Sequence, residues 1–250
     1  MAAARTTEIL SAIAATGRDD GGLPHGLVTA CARALPVSGV GMVLMSHGGP
    51  AGTVAVTDAS AAKLEELQFT LGEGPCVDAS SSGRPVLQPD LAETGSARWP
   101  GFTSAALDAG IRAVFAFPLR MGAIRLGVLD LYRDRAGALS DPELAEALAF
   151  ADAATMLLLQ LQSLDPFGGG PLGTIPVVED RAEVHQATGM VSVQAAVALG
   201  QAIGLLQAHA FATSRSITAV ARDVLAGRVR FSNADHGGIR TDDNGRIHEQ

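Results

Sequence analysis

A run of glycine and proline about two thirds of the way along the chain limits its fold more than any other feature. Residues 165–173 read Asp-Pro-Phe-Gly-Gly-Gly-Pro-Leu-Gly. Neither a helix nor a strand continues through such a run, because proline removes a backbone donor and glycine admits many backbone conformations. We therefore expect a linker over residues 164–176 with a separate domain on each side. A length of 250 residues and a hydrophobic content of 47% are enough for two buried cores.

The pattern before the linker predicts an α+β domain over residues 20–163, preceded by a helix within residues 1–19. Strand-like runs occupy residues 39–46, 52–57, 85–89, 113–120 and 124–132, and helical periodicity separates most of them. The short connections favour an antiparallel sheet, and the prolines at both ends of 85–89 place that run at its edge. We expect helices to flank this sheet.

A long helix is predicted from Ser140 to about Leu164, and it carries two apolar stripes. The first stripe contains Leu144, Leu148, Ala151, Thr155 and Leu158, and the second contains Phe150, Ala154, Leu157 and Leu161. One stripe suffices to cover the sheet. The other either meets the same helix of a second copy, which would give a homodimer, or is buried within a single chain. The sequence leaves both arrangements open.

The segment Gly72-Glu-Gly-Pro-Cys predicts a shaped loop that leads into a short helix. It lacks the Lys-Ser or Lys-Thr of a nucleotide-binding loop, which argues against phosphate binding of that kind. Cys76 has two interpretations, a reactive thiol that senses redox state or a small packed side chain. The other cysteine, Cys31, falls in the apolar stripe of a helix, and the sequence has no zinc-type spacing of ligands.

One acid stands out on the strand predicted over residues 124–132. Ile124, Leu126 and Val128 alternate on the face that also carries Asp130. A carboxylate on an otherwise apolar face is an informative exception. Asp130 either satisfies a buried polar group or orients a ligand.

Several of these segments together resemble the GAF sensory domains of bacterial regulators, over roughly residues 20–163. The segments are Gly72-Glu-Gly-Pro-Cys, Asp90-Leu, Arg98-Trp-Pro-Gly-Phe, Ala113-Val-Phe-Ala-Phe-Pro-Leu and Leu126-Gly-Val-Leu-Asp-Leu-Tyr. The resemblance implies a pocket between sheet and helices for an unknown small-molecule or redox signal. It implies no particular cofactor or metal. The residues that we place at this ligand pocket are Cys76, Trp99, Phe102, Phe115, Phe117 and Asp130.

After the linker, three amphipathic patterns predict a three-helix bundle over residues 177–231. The apolar stripes are Val177, Val184, Ala187 and Val191, then Ala196, Leu199, Ile203, Leu206 and Ala210, and finally Ile217, Val220, Ala221, Val224 and Leu225. Such a small bundle has a thin core, so docking or dimerisation should stabilise it. Residues 232–250 have no apolar period, and we expect a disordered tail there.

The charge distribution directs attention to the last predicted helix. The net charge of −8 excludes a protein that binds nucleic acid over its whole surface. Residues 1–176 hold 11 Lys and Arg against 18 Asp and Glu, whereas residues 177–250 hold 7 against 8. Between residues 215 and 230, one acid, Asp223, accompanies Arg215, Arg222, Arg228 and Arg230. This cluster is either a basic footprint for phosphate or a solvated surface.

The C-terminal bundle is similar to the ANTAR module, an RNA-binding antitermination domain of bacterial sensory regulators. The matching segments are Arg181–Val191, Leu206-Gln-Ala-His-Ala210 and Ile217–Arg222. The resemblance implies binding of an RNA stem-loop in a transcript leader. We place that contact at Ala187, Thr188, Gly189, Arg215, Arg222, Arg228 and Arg230. The chain departs from the family pattern at Thr188, where a Lys is usual, and at Gln207, where an Arg is common, so two cationic contacts are absent.

Taken together, these features predict a cytoplasmic, signal-responsive regulator of transcription antitermination that is not an enzyme. The longest apolar runs are far shorter than the roughly 20 residues that cross a bilayer, and the start lacks the apolar core of a secretory signal. Expected partners are structured RNA, a small-molecule signal and a second copy of the chain. Two alternatives stay open. One is a redox-sensing protein that uses Cys76, and the other is a dimerisation or protein-interaction module without RNA binding.

Overall fold

The computed structural model describes residues 2–15, 22–46, 49–163, 179–213 and 215–232. The chain divides into two compact units, one built mainly from residues up to Glu179 and the other mainly from residues after it. The linker predicted over residues 164–176 and the disordered tail predicted beyond Ser232 lie outside the described residues.

The elements of the first unit follow the predicted order. Its helices are α1 (Ala2–Ala15), α2 (Gly22–Ala34), α3 (Ala59–Leu71), α4 (Pro75–Ser82), α5 (Ser96–Arg98), α6 (Pro100–Asp108) and α7 (Asp141–Ser163), with a π-helical turn at Leu91–Gly95. Its strands are β1 (Gly39–Ser46), β2 (Gly49–Val56), β3 (Val86–Gln88), β4 (Ala113–Met121) and β5 (Ile124–Arg133).

The strands of this unit form an antiparallel sheet in the order β3-β4-β5-β1-β2. This arrangement confirms the predicted antiparallel sheet flanked by helices, with the proline-bounded β3 at one end of that order. In the register, Asp130 on β5 lies opposite Gly41 of β1 on one side and opposite Ala116 of β4 on the other. The acid that the sequence singled out is therefore at the centre of the sheet.

The sheet is covered on both faces, which is why every residue of β5 from Leu126 to Arg133 is buried. On one face, α1, α2 and α7 pack against a core that includes Met42, Phe115 and Leu129. On the other face, α3 and α4 pack over Gly41 and Asp130. Successive side chains of a strand point to opposite faces, so this division assigns each strand residue to one layer.

Helix α7 contacts the sheet and α1 of the same chain. Its residues Phe150, Ala154 and Leu157 are buried in the core together with Ile9 and Ile13 of α1. The guanidinium of Arg5 on α1 also bonds the carboxylate of Glu146 on α7, with Nε 3.0 Å from Oε2. Phe150, Ala154 and Leu157 of the second stripe are buried within the chain, whereas Leu148 of the first stripe is 42% exposed.

Two local structures lie on the α4 side of the sheet. Residues 90–93 begin the π-helical turn, because the Asp90 side chain accepts hydrogen bonds from the backbone of Ala92 and Glu93, and Leu91 is fully buried. The helical segment that follows is interrupted at Trp99, whose backbone leaves helical geometry before Pro100 starts α6.

The second unit contains the helices α8 (Ala182–Ala195), α9 (Leu199–Ala212) and α10 (Ile217–Leu225), preceded by a two-residue strand, β6 (Glu179–Asp180). Helix α10 starts after Ser216, whose hydroxyl caps it by accepting a hydrogen bond from the backbone N–H of Ala219 at 3.2 Å. The chain after α10 returns to the bundle, since Phe231 is buried and its ring meets that of His209 edge-to-face at 5.9 Å.

The apolar stripe predicted for the second helix of the bundle is shifted. Ala196 belongs to no stripe of α9, because it adopts a left-handed backbone with φ of 54° and ends α8. Leu199, the first residue of α9, is 61% exposed. The buried face of α9 is formed by Ala202, Leu206, His209 and Ala210. Val177 lies outside the described residues.

Two parts of the described chain satisfy the length and hydropathy of a membrane span. They are α7 over Asp141–Gln162 and, only as a pair bent by 105°, α8 with α9. In α7, 44% of the apolar window is buried inside the protein, where the same residues form the core against the sheet. Core helices commonly pass this test, so α7 is weak evidence for a membrane.

Candidate ligand site and candidate RNA-binding face

Three chemically active side chains converge beneath α3 and α4. Glu65 of α3, Cys76 of α4 and Asp130 of β5 place one carboxylate oxygen or thiol sulfur each within 4.8 Å of the other two. None of the three residues is more than 2% exposed. Two carboxyl groups and a thiol are thus held together out of contact with water.

Two glycines make the room that this cluster occupies. A Cβ atom on Gly41 would lie 2.4 Å from Oε1 of Glu65, and one on Gly74 would lie 2.7 Å from Oε1 of Gln68. Gly74 also has a φ of 132°, which side chains rarely allow. A glycine inside a strand often marks a close approach, and at Gly41 the approaching group is the Glu65 carboxylate.

Gln68 fixes the backbone that carries the thiol. Its Oε1 accepts a hydrogen bond from the backbone N–H of Cys76 at 2.7 Å. The first turn of α4 has Gly74 at its N-cap and therefore no side-chain cap of its own. Gln68 takes over that role from the neighbouring helix and is itself only 1% exposed.

Burial of Asp130 carries a large electrostatic penalty. Its side chain is fully buried, and neither carboxylate oxygen has a donor in hydrogen-bonding geometry. Burial raises the pKa of the Asp130 carboxyl well above its usual range, and the neighbouring Cys76, Glu65 and Gln68 side chains offset only part of that shift. A group of this kind is neutralised by a proton or by a bound cation.

Neither cysteine forms a disulfide and both are buried, but they lie on opposite faces of the sheet. Cys76 belongs to the cluster under α4, whereas Cys31 belongs to the core beneath α2 and α7. Burial raises the pKa of the Cys31 thiol well above its usual range. No other cysteine is present in the sequence, so Cys76 has no neighbouring thiol with which to form a disulfide.

Trp99 and Phe102 hold the elements around the loop that carries Cys76. The indole Nε1 of Trp99 donates to Oδ2 of Asp78 on α4 at 3.2 Å. The backbone N–H of Phe102 donates to Oε1 of Glu73 at 2.7 Å, so Glu73 caps α6 from the loop. Both aromatic residues are buried and their rings pack edge-to-face. The structure therefore gives them an anchoring role between α4 and α6.

The structure corrects the placement of Phe115 and Phe117. These residues were predicted to share a pocket with Asp130, but both belong to the core under α7. Their neighbour Ala116 is the residue that pairs with Asp130, and alternation along β4 sends the flanking side chains to the other face. Of the predicted pocket residues, the cluster brings together Cys76 and Asp130.

Glu65 and Gln68 complete the cluster, and sequence reasoning missed them. The signal was present as two polar residues at i and i+3 in the buried stripe of α3, which also contains Ala61, Leu64 and Phe69. Polar residues in a helix are ordinarily assigned to its solvent side. Here the stripe turns them toward Asp130.

A basic cleft lies at the surface of the first unit. It has a volume of about 270 Å³ and is lined by Ser82, Gly83, Arg84, Arg120, Gly122, Ala123 and Arg125. Within the described part of the chain, none of its three arginines forms an ion pair with a carboxylate. All three are exposed, so substitutions of these arginines can serve as controls for substitutions of the exposed arginines of the second unit.

In the second unit, ion pairs organise the predicted basic residues. Asp223 accepts hydrogen bonds from NH2 of Arg215 at 2.6 Å and from Nε of Arg228 at 2.7 Å. The bond from Arg215 first, and then that from Arg228, hold the pKa of Asp223 below its usual range despite partial desolvation. Nε of Arg222 donates to Oε2 of Glu183 on α8 at 2.8 Å. Arg230 is exposed, and no carboxylate among the described residues pairs with it.

Two of the small residues predicted to contact RNA face the interior of the bundle. Ala187 is fully buried, and Thr188 is 7% exposed. The Thr188 hydroxyl donates to the carbonyl of Val184 at 2.7 Å, one turn earlier in α8. The prediction is therefore corrected for Ala187 and Thr188. Gly189 is half-buried with open space beside it.

Comparison with known proteins gives a family match for the first unit. Residues 25–158 match the family model described as a GAF domain. No curated protein matches the chain. Among solved structures, the chain is similar to the GAF domain of an Acinetobacter phosphoenolpyruvate-protein phosphotransferase, with a TM-score of 0.50 and 11% identity over 66% of this chain and 96% of that one.

Two further solved structures show the same type of similarity. The GAF domain of a phosphoenolpyruvate-protein phosphotransferase from Coxiella burnetii has a TM-score of 0.47 and 16% identity, over 65% of this chain and 98% of that one. The photoproduct state of GAF3 from Slr1393 of Synechocystis has a TM-score of 0.46 and 14% identity, over 56% and 94%. At such identities the similarity concerns the fold alone.

Proposed function

This chain belongs to the GAF domain family, whose relatives include sensory domains, and on that premise we propose that it is a signal-responsive regulator that binds structured RNA. In this proposal the GAF unit receives the signal and the helices α8, α9 and α10 bind a stem-loop in a transcript leader. Binding prevents formation of a terminator. In this proposal the protein acts in the cytoplasm. It is not an enzyme, because it performs no chemistry on the RNA.

The observation that supports RNA binding is the outward basic face of α10. Ile217, Val220 and Val224 fix the helix in the bundle by being fully buried. The side chains of Arg222 and Arg228 are then each 62% exposed. Such guanidinium groups are suited to phosphate, because they present several donors in a fixed geometry and remain charged.

The ion pairs on this face support binding as well. Asp223 orients Arg215 and Arg228 from one side, which reduces the conformational entropy lost when phosphate binds. The bond between Arg222 and Glu183 joins two side chains that are 62% and 42% exposed. Exposed pairs contribute only about 0–1 kcal/mol, so a phosphate can replace Glu183 at little cost.

The homodimer remains part of this proposal, and the bundle exposes several large apolar side chains. Val193 of α8 is 83% exposed, and Leu199 and Phe211 of α9 are 61% and 64% exposed. A contact between two copies would remove such side chains from water. Light scattering should show a dimer for the purified wild-type chain and a monomer for the Val193→Ser/Phe211→Ser variant. A wild-type monomer at all concentrations would exclude this part.

RNA binding is tested by fluorescence anisotropy with a pool of stem-loop RNAs of randomised loop sequence. Wild-type affinity should fall steeply with salt, and Arg222→Ala/Arg228→Ala should weaken binding and reduce the salt slope by about 2, one for each phosphate contact. The control is Arg84→Ala/Arg125→Ala in the basic cleft, with unchanged slope. Absence of salt-sensitive binding, or an equal loss in the control, would refute the proposal.

A further inference from the structure

We propose that Glu65, Cys76 and Asp130 form a binding site for a divalent transition-metal ion of the zinc class, with three protein ligands and one open position. The site lies within the GAF unit and does not depend on RNA binding by the second unit. Its ligands come from three separate elements, α3, α4 and β5, which is why the sequence shows no zinc-type spacing.

The donor atoms point to this class of metal. A thiolate sulfur with two carboxylate oxygens suits Zn²⁺, which accepts sulfur, nitrogen and oxygen ligands. Mg²⁺ and Ca²⁺ favour sites made of oxygen alone. Three protein ligands with an open fourth position is the arrangement found in zinc sites that bind a water or a small molecule. In this proposal the GAF unit senses either the ion itself or a molecule that coordinates it.

A second observation, independent of the grouping, comes from Asp130. Its carboxylate is completely buried, and neither of its oxygens has a partner with full hydrogen-bonding geometry, although the side chains of Cys76, Glu65 and Gln68 lie close enough to stabilise part of its charge. Buried polar atoms in folded proteins are nearly always satisfied, and an unsatisfied one calls for an unobserved partner such as an ion. A cation between Asp130, Glu65 and Cys76 supplies that partner.

The geometry requires a modest contraction on binding. The three donor atoms lie within 4.8 Å of one another. Metal–ligand distances of about 2.0–2.3 Å place tetrahedral donors roughly 3.5 Å apart, so the side chains would draw together by about 1 Å. Because the ligands belong to α3, α4 and β5, this contraction would join both helices to the centre of the sheet.

The surroundings of the cluster resemble the outer shell of a metal site. Gln68 fixes the backbone of Cys76 through its Oε1, while its buried Nε2 has no acceptor in the described chain. This amide can donate to a ligand carboxylate, as outer-shell partners of metal ligands do. Gly41 leaves the space into which the Glu65 carboxylate fits. Metal binding would release the thiol proton of Cys76.

The test uses the full chain, freed of metal with a chelator, and Co²⁺ as a spectroscopic probe. We expect one equivalent of Co²⁺ to produce a thiolate-to-cobalt charge-transfer absorption, which Zn²⁺ abolishes by displacement. Cys76→Ser should remove this absorption, and Cys31→Ser, which changes the cysteine on the other face of the sheet, should keep it.

Three further variants secure the interpretation. Asp130→Asn and Glu65→Gln keep the side-chain shape, and each should weaken Co²⁺ affinity at least tenfold. Gly41→Ala, which displaces Glu65, should weaken it by about 10–100-fold, in the range of outer-shell changes. A wild-type protein with no cobalt absorption would overturn the proposal and leave a cluster neutralised by protons only. Absorption that survives Cys76→Ser, or is unaffected by both carboxylate variants, would overturn it equally.

Discussion

Replacement of Gly41 by alanine tests whether the buried cluster is as tightly enclosed as the structure indicates. The new Cβ would lie 2.4 Å from Oε1, 3.1 Å from Cδ and 3.3 Å from Cγ of Glu65, whereas ordinary contacts begin near 3.4 Å. The side chain must therefore move by about 1 Å. It has little freedom to do so, because Glu65 is 2% exposed and is bounded by Cys76 and Asp130.

Overpacking of this kind costs about 1–3 kcal/mol. In a unit of about 150–250 residues, each kcal/mol lowers the melting temperature by roughly 2–4 °C. We therefore expect Gly41→Ala to lower it by about 2–12 °C, as followed by circular dichroism with a chelator present. Chemical denaturation should show a smaller free energy of unfolding with an unchanged denaturant slope.

A double-mutant cycle separates this clash from other effects of alanine in a strand. In a Glu65→Ala background the obstacle is absent, so Gly41→Ala should lose most of its cost, with a coupling energy of about 1 kcal/mol or more. If Gly41→Ala is as stable as wild type, or costs the same with and without the Glu65 side chain, the reasoning about a closed cluster fails.

Three further outcomes are expected. Burial first, and then the charge of Arg215, lower the pKa of His209 against the opposing effect of Asp223. The unfolded state therefore binds the proton more readily than the folded state does. The bundle should be fully stable above about pH 6.5 and should lose stability as the pH falls below that value. Urea unfolding between pH 5 and 8 would show this, and His209→Gln should flatten the profile. Asp223→Asn should destabilise the bundle by less than about 2 kcal/mol, since its partners are exposed arginines, and high salt should diminish the difference in melting temperature. Glu73→Ala removes the cap on the N–H of Phe102 and should cost about 0.5–2 kcal/mol in thermal unfolding, while a cost near zero would show that solvent caps α6 equally well.

Periodicity was sufficient to locate the sheet and the long helix, because alternation along β4 and β5 and the stripes of α7 are strong local signals. The packing of α7 against α1 was not predictable in this way. It includes contacts such as Arg5 with Glu146, which are separated by 141 positions. Long-range pairings of this kind leave no trace in a local pattern.

Only part of the candidate site could be predicted from the sequence. Asp130 stood out because it interrupts an apolar face, and Cys76 because it follows a glycine-proline loop. Glu65 and Gln68 were missed, since α3 mixes polar and apolar residues around its circumference and only the tertiary structure decides which of them turn inward. Phe115 and Phe117 were misplaced for a different reason, as an aromatic residue on a doubly covered strand can belong to either layer.

In the bundle, the arginines of α10 and the segment after it were found from charge, and Ala187 and Thr188 from family resemblance. The position of a residue in a motif does not determine its exposure, and in the structure both Ala187 and Thr188 face the interior of the bundle. The ion pairs were also invisible in the sequence. The pair of Arg222 with Glu183 depends on how α10 packs against α8, and the pairs of Asp223 depend on the path of the chain just before and just after α10.

The hydrogen bond between Trp99 and Asp78 has a practical consequence. Trp99 is the single tryptophan of the chain, it is 2% exposed, and its indole N–H is bonded to α4 two residues after Cys76. Indole emission responds to the polarity and hydrogen bonding around the ring. The protein thus carries its own optical reporter, and a ligand or ion that displaces α4 will change its intrinsic fluorescence without any added dye.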